Sequence, residues 1–296
     1  MFFNQQPLEW EIDRQTWPHH ECSRFVFAGR VRFHVQITGD GPVLLMLHGT
    51  GASAHSWRDL IPGLAEHFQI VVPDLPGHGF TSMPGAGRIS LPAYAELLGL
   101  LMRELEAEVD LVVGHSAGAA IAAQMVLDQR INPKGVISFN GAFRPMGGQT
   151  AQLFSPLAKL LSLNPLVPRF FAGRASDPAM VERLIAGTGS VLDADGIALY
   201  QRLMRSGAHV DATLQMMANW DLTTFADEMK ALTRPLLLVT ADGDKAIPAD
   251  EAHLIAGKVQ DAEVLEMRGV GHVAHEEDPH GAGEIISSTW QKWQAS

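Results

Sequence analysis

The sequence predicts an α/β fold in which a mostly parallel central sheet is covered by helices on both faces. Continuous apolar runs of strand length recur along the chain, and Val43–Leu47 and Val109–Val113 are the clearest of them. Such runs are typical of strands buried on both faces. Segments with helical periodicity alternate with these runs, which favours parallel crossovers. Residues 144–232 instead have helical periodicity and contain no apolar strand run, so they are expected to be a helical insertion between two strands.

The individual elements follow from local patterns. The predicted strands are a hairpin over Phe25–Gln36, then Val43–Leu47, Ile70–Val72, Val109–Val113, Gly135–Asn140, Pro235–Thr240 and Glu263–Met267. The predicted helices are Ser56–Phe68, Ser90–Glu106, a helix that follows Ser116 and ends near Gln129, and Gly281–Trp293. Ala28-Gly29-Arg30 provides the hairpin turn. Ser56 and Ser90 are candidate N-caps, and Pro92 is tolerated in the first turn of its helix.

Two structural units are expected. Residues 1–143 and 233–296 should form the core that contains the sheet, and residues 144–232 should form a helical cap over the ends of the strands. The cap is rich in leucine, methionine and aromatic residues, so it favours an apolar pocket and a small hydrophobic substrate. We predict that Trp220 and Met217 line that pocket.

Composition excludes several classes of partner. The 296 residues are 46% hydrophobic and 19% charged, with a formal net charge of −11. An acidic chain disfavours nucleic acid and anionic membrane surfaces as partners. Cys22 is the one cysteine, so no intramolecular disulfide forms, which fits a reducing cytoplasm. We expect no transmembrane segment, no signal peptide, no metal site and no cofactor, and therefore a cytoplasmic location.

The most informative motif is Gly114-His115-Ser116-Ala117-Gly118. It lies between an apolar strand run and a run of small residues with helical character. A G-x-S-x-G sequence in that context is typical of a nucleophile elbow, in which a sharp strand-to-helix turn exposes the serine hydroxyl. The glycines have a steric reason to be there, because side chains would clash in so tight a turn. Ser116 is therefore the predicted nucleophile.

An acid and a histidine that would activate Ser116 follow later strands in the order that this arrangement requires. Asp244 comes after the strand Pro235–Thr240, and Asp242 is an alternative two residues earlier. We favour Asp244 as the acid that orients the histidine and Asp242 as a turn residue.

The predicted general base follows the last strand. His272 lies in a glycine-containing loop after Glu263–Met267, so it can reach back over the edge of the sheet towards Ser116. His275, three residues later, is an alternative that we assign a structural role.

A glycine-rich turn, His48-Gly49-Thr50-Gly51, follows the strand Val43–Leu47. We predict that the backbone N–H groups of Thr50 and Ala117 form an oxyanion hole beside the nucleophile. His48, Gly49 and His115 are further candidates for the lining of the substrate pocket, although His48 is better explained as a residue that binds the backbone.

Taken together, these motifs resemble the α/β-hydrolase superfamily from Phe25 to the end of the chain. The resemblance implies the α/β-hydrolase fold and a hydrolase that acts on an ester or similar acyl bond. A serine nucleophile disfavours the chemistry of haloalkane dehalogenases and epoxide hydrolases, which would need aspartate. Hydrolysis of carbon–carbon bonds, haloperoxidase-like activity and acyl transfer use the same triad, so the sequence leaves them open.

A closer resemblance concerns loops and the predicted cap. The segments that carry it are 47–58, 73–81, 114–121 and 216–222, which are similar to the accessory proteins of magnesium chelatase in bacteriochlorophyll biosynthesis. The resemblance implies a photosynthetic bacterium and a role near magnesium insertion into porphyrin. Magnesium chelatase or a porphyrin intermediate is then a candidate partner, and a non-catalytic accessory role is the alternative to hydrolysis.

Overall fold

The computed structural model describes residues 6–85, 89–145 and 177–295. Its centre is one eight-stranded sheet with the order β1-β2-β4-β3-β5-β6-β7-β8. The strands are β1 (Ser23–Ala28), β2 (Val31–Thr38), β3 (Val43–Leu47), β4 (Gln69–Pro73), β5 (Val109–His115), β6 (Val136–Phe139), β7 (Leu236–Ala241) and β8 (Ala262–Met267). β2 pairs antiparallel with β1 and β4, and β3 to β8 are parallel to one another. The predicted α/β-hydrolase fold is confirmed.

The α-helices of the described residues are numbered in chain order. They are α1 (Trp10–Asp13), α2 (Ile61–Leu64), α3 (Leu91–Glu104), α4 (Ala117–Leu127), α5 (Pro178–Gly187), α6 (Ala194–Met204), α7 (Gly207–Asn219), α8 (Phe225–Glu228), α9 (Asp250–Ala256), α10 (Ala274–Glu277) and α11 (Pro279–Gln294). Short 3-10 helices span His20–Cys22, Ala54–Trp57 and Met229–Ala231.

Both faces of the sheet are buried, as the continuous apolar runs predict. In β3, Leu45 and Leu47 pack into one apolar cluster with α3 and α4. Leu44 and Met46, the alternate residues, pack into a second cluster with α2 and α11 on the other face. Because β3 to β8 run parallel, the loops that follow them meet at one edge of the sheet. That edge carries the motifs identified in the sequence.

One helix prediction is wrong. The segment Ser56–Phe68 forms the end of a 3-10 helix and the four-residue helix α2 instead of one continuous helix. Ser56 is also not an N-cap, because it lies inside the 3-10 helix with its hydroxyl bonded to residues of α10. Tertiary contacts at this buried serine outweigh local helix propensity. Ser90 occupies the N-cap position of α3 as predicted, although its side chain makes no capping hydrogen bond.

Gly118 lets α4 pack closely on the central strands. A Cβ atom at this position would overlap the carbonyl oxygen of Leu47. We expect Gly118→Ala to lower the free energy of unfolding by about 1–3 kcal/mol, because the backbone must shift to accept the methyl group. Urea unfolding measures this. Gly63→Ala in α2 is the matched control, since open space surrounds that position and alanine favours helix. Equal stability of the Gly118 variant and wild type would contradict the prediction.

Between β6 and β7 the structure describes a helical insert, residues 177–231, that contains α5 to α8. Its helices contact loops at the carboxyl edge of the sheet. Residues 146–176 of the predicted cap lie outside the described residues, and the boundaries 144–232 stay a prediction. None of the helices described is long and apolar enough to cross a membrane.

Candidate active site

Ser116 occupies the turn between β5 and α4 with a strained backbone. Its φ of 51° and ψ of −117° are unusual for a residue with a side chain, and such strain is common at functional turns. The turn is held in place because the N–H of Ser116 donates to the carbonyl of Phe139, and its own carbonyl accepts from Ala142. Ser116 is half-buried. Ala117 begins α4, so its N–H has no carbonyl one turn earlier within that helix.

The loop after β3 lies directly against this turn. A Cβ on Gly49 would be 3.1 Å from the Cβ of Ser116 and 2.8 Å from Nδ1 of His115, so only glycine allows this approach. Thr50 follows and is half-buried. His48 is fully buried, and its ring donates from Nδ1 to the carbonyl of Gly49 and accepts at Nε2 from the N–H of Leu75. The ring of His48 therefore fixes the loop, in keeping with a structural role.

Asp244 and His272 are brought together at the ends of β7 and β8. Nδ1 of His272 donates to Oδ2 of Asp244 over 2.8 Å. This bond fixes the tautomer and leaves Nε2 as the basic nitrogen. Asp242 instead accepts the N–H of Gly269 through Oδ1. The structure thus pairs the favoured aspartate with the favoured histidine and gives Asp242 the turn contact expected of it.

Within the described part of the chain, the carboxylate of Asp244 accepts hydrogen bonds from four donors. Oδ1 accepts the N–H groups of Ala246 and Ile247, and Oδ2 accepts from Asn140 Nδ2 at 2.6 Å as well as from His272. Burial raises the pKa of Asp244, but these bonds outweigh burial and hold the pKa below its ordinary value. Asn140 was not identified from the sequence. Its position at the end of β6 was the available signal, since β6 and β7 are adjacent.

Two further imidazole rings lie beside His272. His115 donates from Nε2 to the carbonyl oxygen of His272 over 2.8 Å, and the two ring centres are 4.8 Å apart. His275 is buried beside His115, with ring centres 4.5 Å apart, and its Nε2 bonds Ser56. Burial, reinforced by the neighbouring His272, lowers the pKa of His115 to about 3. Both rings are therefore neutral supports of the base, and His275 has the structural role assigned to it.

The helical insert contacts the loop after β3 through α7. The hydroxyl of Thr50 donates to Sδ of Met216 at 3.5 Å, and Nε2 of His209 donates to the carbonyl of Gly51 at 3.1 Å. Met217 is the residue predicted to line the pocket, but it is the neighbouring Met216 that contacts Thr50, in the loop of the candidate oxyanion hole. Trp220 packs edge-to-face on Tyr94 at 6.1 Å. A role for Trp220 or Met217 in lining a pocket stays a prediction.

The turn after β4 has a structural role. Asp74 is fully buried and binds the ring of His34 as well as the N–H groups of Ala54 and Phe80. Burial raises the pKa of Asp74, but His34 and the backbone donors lower it to about 2. His78 in the same turn is also fully buried, in keeping with a structural role for the turn.

Buried neutral histidines make the fold sensitive to acid. Burial lowers the pKa of six histidines, namely His48, His55, His78, His115, His209 and His275. For His209 the folded pKa is about 4, well below its ordinary value of 6.5. The unfolded chain therefore binds protons first as pH falls, and stability is lost between pH 6.5 and about 4.

We expect His209→Gln to reduce the slope of unfolding free energy against pH in that window by up to about 1.4 kcal/mol per pH unit. Urea unfolding at a series of pH values measures the slope. His280→Gln is the control, because this side chain on α11 is 84% exposed. A slope unchanged by the His209 substitution would contradict the prediction.

The fold and this arrangement at its carboxyl edge define an α/β hydrolase. Comparison with known sequences agrees: the chain belongs to the alpha/beta hydrolase family, whose sequence profile matches residues 44–282. Among curated proteins, the chain is 37% identical over 279 residues to the magnesium-chelatase 30 kDa subunit of Rhodobacter capsulatus, a match that covers 92% of this chain and 95% of that protein. Both resemblances predicted from the sequence are therefore confirmed.

More distant relatives include hydrolases. The chain is 25% identical over 273 residues to 2-(acetamidomethylene)succinate hydrolase of Mesorhizobium japonicum, covering 88% of this chain and 92% of that one. A solved epoxide hydrolase superimposes with a TM-score of 0.78 at 20% identity, covering 91% of this chain and 98% of its own. A thermophilic esterase from Thermogutta terrifontis superimposes with a TM-score of 0.73 at 20% identity, covering 92% of this chain and 98% of the esterase chain. These two structural likenesses show the fold, and the family relationship supports a hydrolase.

Proposed function

We propose that the protein is a serine hydrolase that acts on an ester or similar acyl bond of a hydrophobic substrate. The observation that carries the proposal is the 2.8 Å bond between Asp244 and His272, at the same sheet edge as the strained turn of Ser116. Nε2 of His272 takes the proton of Ser116 as its oxygen attacks the acyl carbon, and the ionised Asp244 stabilises the imidazolium that forms. The protonated base then gives the proton to the leaving group, and water releases the acyl-enzyme.

Charge that develops on the substrate oxygen is stabilised by two backbone donors. The N–H of Ala117 lies at the start of α4, where the helix dipole also favours negative charge. The N–H of Thr50 belongs to the loop that Gly49 brings against Ser116. Donors that are fixed before the charge develops need no reorganisation during the reaction.

A hydrophobic compound linked to magnesium–porphyrin and bacteriochlorophyll biosynthesis is the substrate class that we favour. The relative named as a magnesium-chelatase subunit supports this link. Contacts from the insert, such as Met216 on Thr50, bring apolar atoms beside the proposed oxyanion hole. The proposed location of the reaction is the cytoplasm.

Covalent labelling with a fluorophosphonate probe tests the proposal. An activated serine attacks the phosphorus and displaces fluoride, which adds one label per chain. Intact mass spectrometry should find a stoichiometric adduct on the wild type and none on Ser116→Ala. A folded wild-type protein without an adduct would refute the assignment.

The match to a magnesium-chelatase subunit also favours a second candidate, a non-catalytic accessory protein that binds a porphyrin or the chelatase. Complementation separates the two functions. Wild type or Ser116→Ala is expressed in a bacterium from which its own copy of the gene has been deleted, and pigment formation is measured. Pigment formation restored by Ser116→Ala would support the binding role. Pigment formation restored by wild type alone would support catalysis.

A further inference from the structure

One short segment of the insert lies between the two loops that carry the proposed acid and base. Residues 188–191, which we call the bridging segment, follow α5. On the acid side, the carbonyl of Thr188 accepts the N–H of Lys245 at 3.0 Å. Lys245 directly follows Asp244. Gly189 has a φ of +90°, and a Cβ there would overlap the carbonyl of the residue before Asp244. The bridging segment is thus in close backbone contact with the acid loop.

The same segment holds the loop of the proposed base. Oγ of Ser190 accepts the N–H of Val273 at 2.9 Å, and Val273 directly follows His272. The Ser190 residue is only 1% exposed, so water cannot replace its oxygen as the acceptor. Loss of this acceptor would leave a buried N–H unsatisfied and free the residue next to His272 to move.

Glu277 on α10 completes the connection with a bidentate contact. Its Oε1 accepts the N–H of Gly271 at 2.7 Å, and its Oε2 accepts the N–H of Val191 at 2.9 Å. One carboxylate therefore binds the residue before His272 and the last residue of the bridging segment. Hydrogen bonds to an ionised acceptor are about twice as strong as neutral ones.

We propose that the bridging segment, acting through Ser190 and Glu277, is a positioning element that sets the hydrogen bond between Asp244 and His272. The proposal rests on the serine-hydrolase function proposed above. The insert then has a part in assembling the triad as well as in covering the substrate. Neither positioning residue touches the reacting atoms; each acts through the backbone on either side of His272.

The expected effect follows from geometry. A displacement of about 1 Å in a catalytic group can lower the rate on the order of 100-fold. Ser190→Ala and Glu277→Gln each remove an acceptor and keep the side chain close to its original size. We expect each to lower kcat for an activated nitrophenyl ester by roughly 10- to 100-fold with little change in KM.

The matched control is Asp193→Ala. Asp193 lies in the same insert and caps α6 by accepting the N–H of Gly196, so its loss weakens a helix cap without touching either triad loop. It should lower the melting temperature and leave kcat unchanged. A kcat that falls in all three variants in proportion to their melting temperatures would overturn the proposal.

Proton NMR of the His272 Nδ1–H gives a second readout that does not require turnover. We expect the bond to Asp244 to deshield this proton, and we expect its resonance to weaken or shift in Ser190→Ala and Glu277→Gln but not in Asp193→Ala. Unchanged resonance and kcat in both variants would refute the positioning role. If the wild type fails to react with the fluorophosphonate, the proposed function fails, and the resonance still decides the positioning role. If Ser190→Ala does not fold, Glu277→Gln decides it.

Discussion

Replacing Ser116 with alanine is expected to lower kcat for an activated ester by about a million-fold, the scale found when the nucleophile of a serine hydrolase is removed. The reason is chemical: alanine has no oxygen to form the acyl-enzyme, so only the oxyanion donors and substrate binding still assist attack by water. Steady-state hydrolysis at matched protein concentration measures the loss, and thermal unfolding checks that the variant remains folded.

A control for this experiment uses the chain's single cysteine. Cys22 ends the first 3-10 helix and contacts the carboxylate of Glu21 at 3.9 Å, in a part of the chain with no predicted catalytic motif. Cys22→Ala should keep the full rate. A rate that survives in Ser116→Ala but falls in Cys22→Ala would assign the esterase activity to the thiol and contradict the proposed mechanism.

The sequence was sufficient to predict the sheet and the order of the candidate triad. Runs such as Val43–Leu47 are apolar at every position because both faces are covered, so they stand out without knowledge of their neighbours. Gly114 was equally predictable, because a Cβ there would overlap the backbone of Gly118 and Ala119 within the same turn. Such features depend on short-range sterics, which a single sequence contains.

Features that depend on contacts between distant residues were not predictable. Ser56 looked like a helix cap, but its hydroxyl bonds Glu276 over 2.7 Å, and the same carboxylate accepts from Tyr200 in α6 and Arg58. Asn140 likewise acquires a role only because β6 lies beside β7. These buried polar contacts join residues far apart in the chain, and no local propensity encodes which donor will meet which acceptor.

The second large effect is expected at the acid. We predict that Asp244→Asn lowers kcat by about 10⁴-fold, the loss reported when the aspartate of a serine triad becomes asparagine. Oδ2 now accepts from Asn140 and His272. An NH₂ group in its place would have a donor facing each of them, and it would favour the tautomer of His272 that has its proton on Nε2. Asn140 adds to the cost, because its Nδ2 donates to that same oxygen at 2.6 Å.

Asp242→Asn is the matched control, since it makes the same chemical change two residues away. Asp242 accepts a turn N–H, that of Gly269, which an asparagine oxygen can also accept, so kcat should remain near that of wild type. Measured kcat values for the two variants therefore separate the acid of the triad from a turn aspartate. A large loss in Asp242→Asn with full activity in Asp244→Asn would reverse the assignment. Equal losses would mean that the loop after β7 tolerates neither change and that the bond to His272 does not account for the effect.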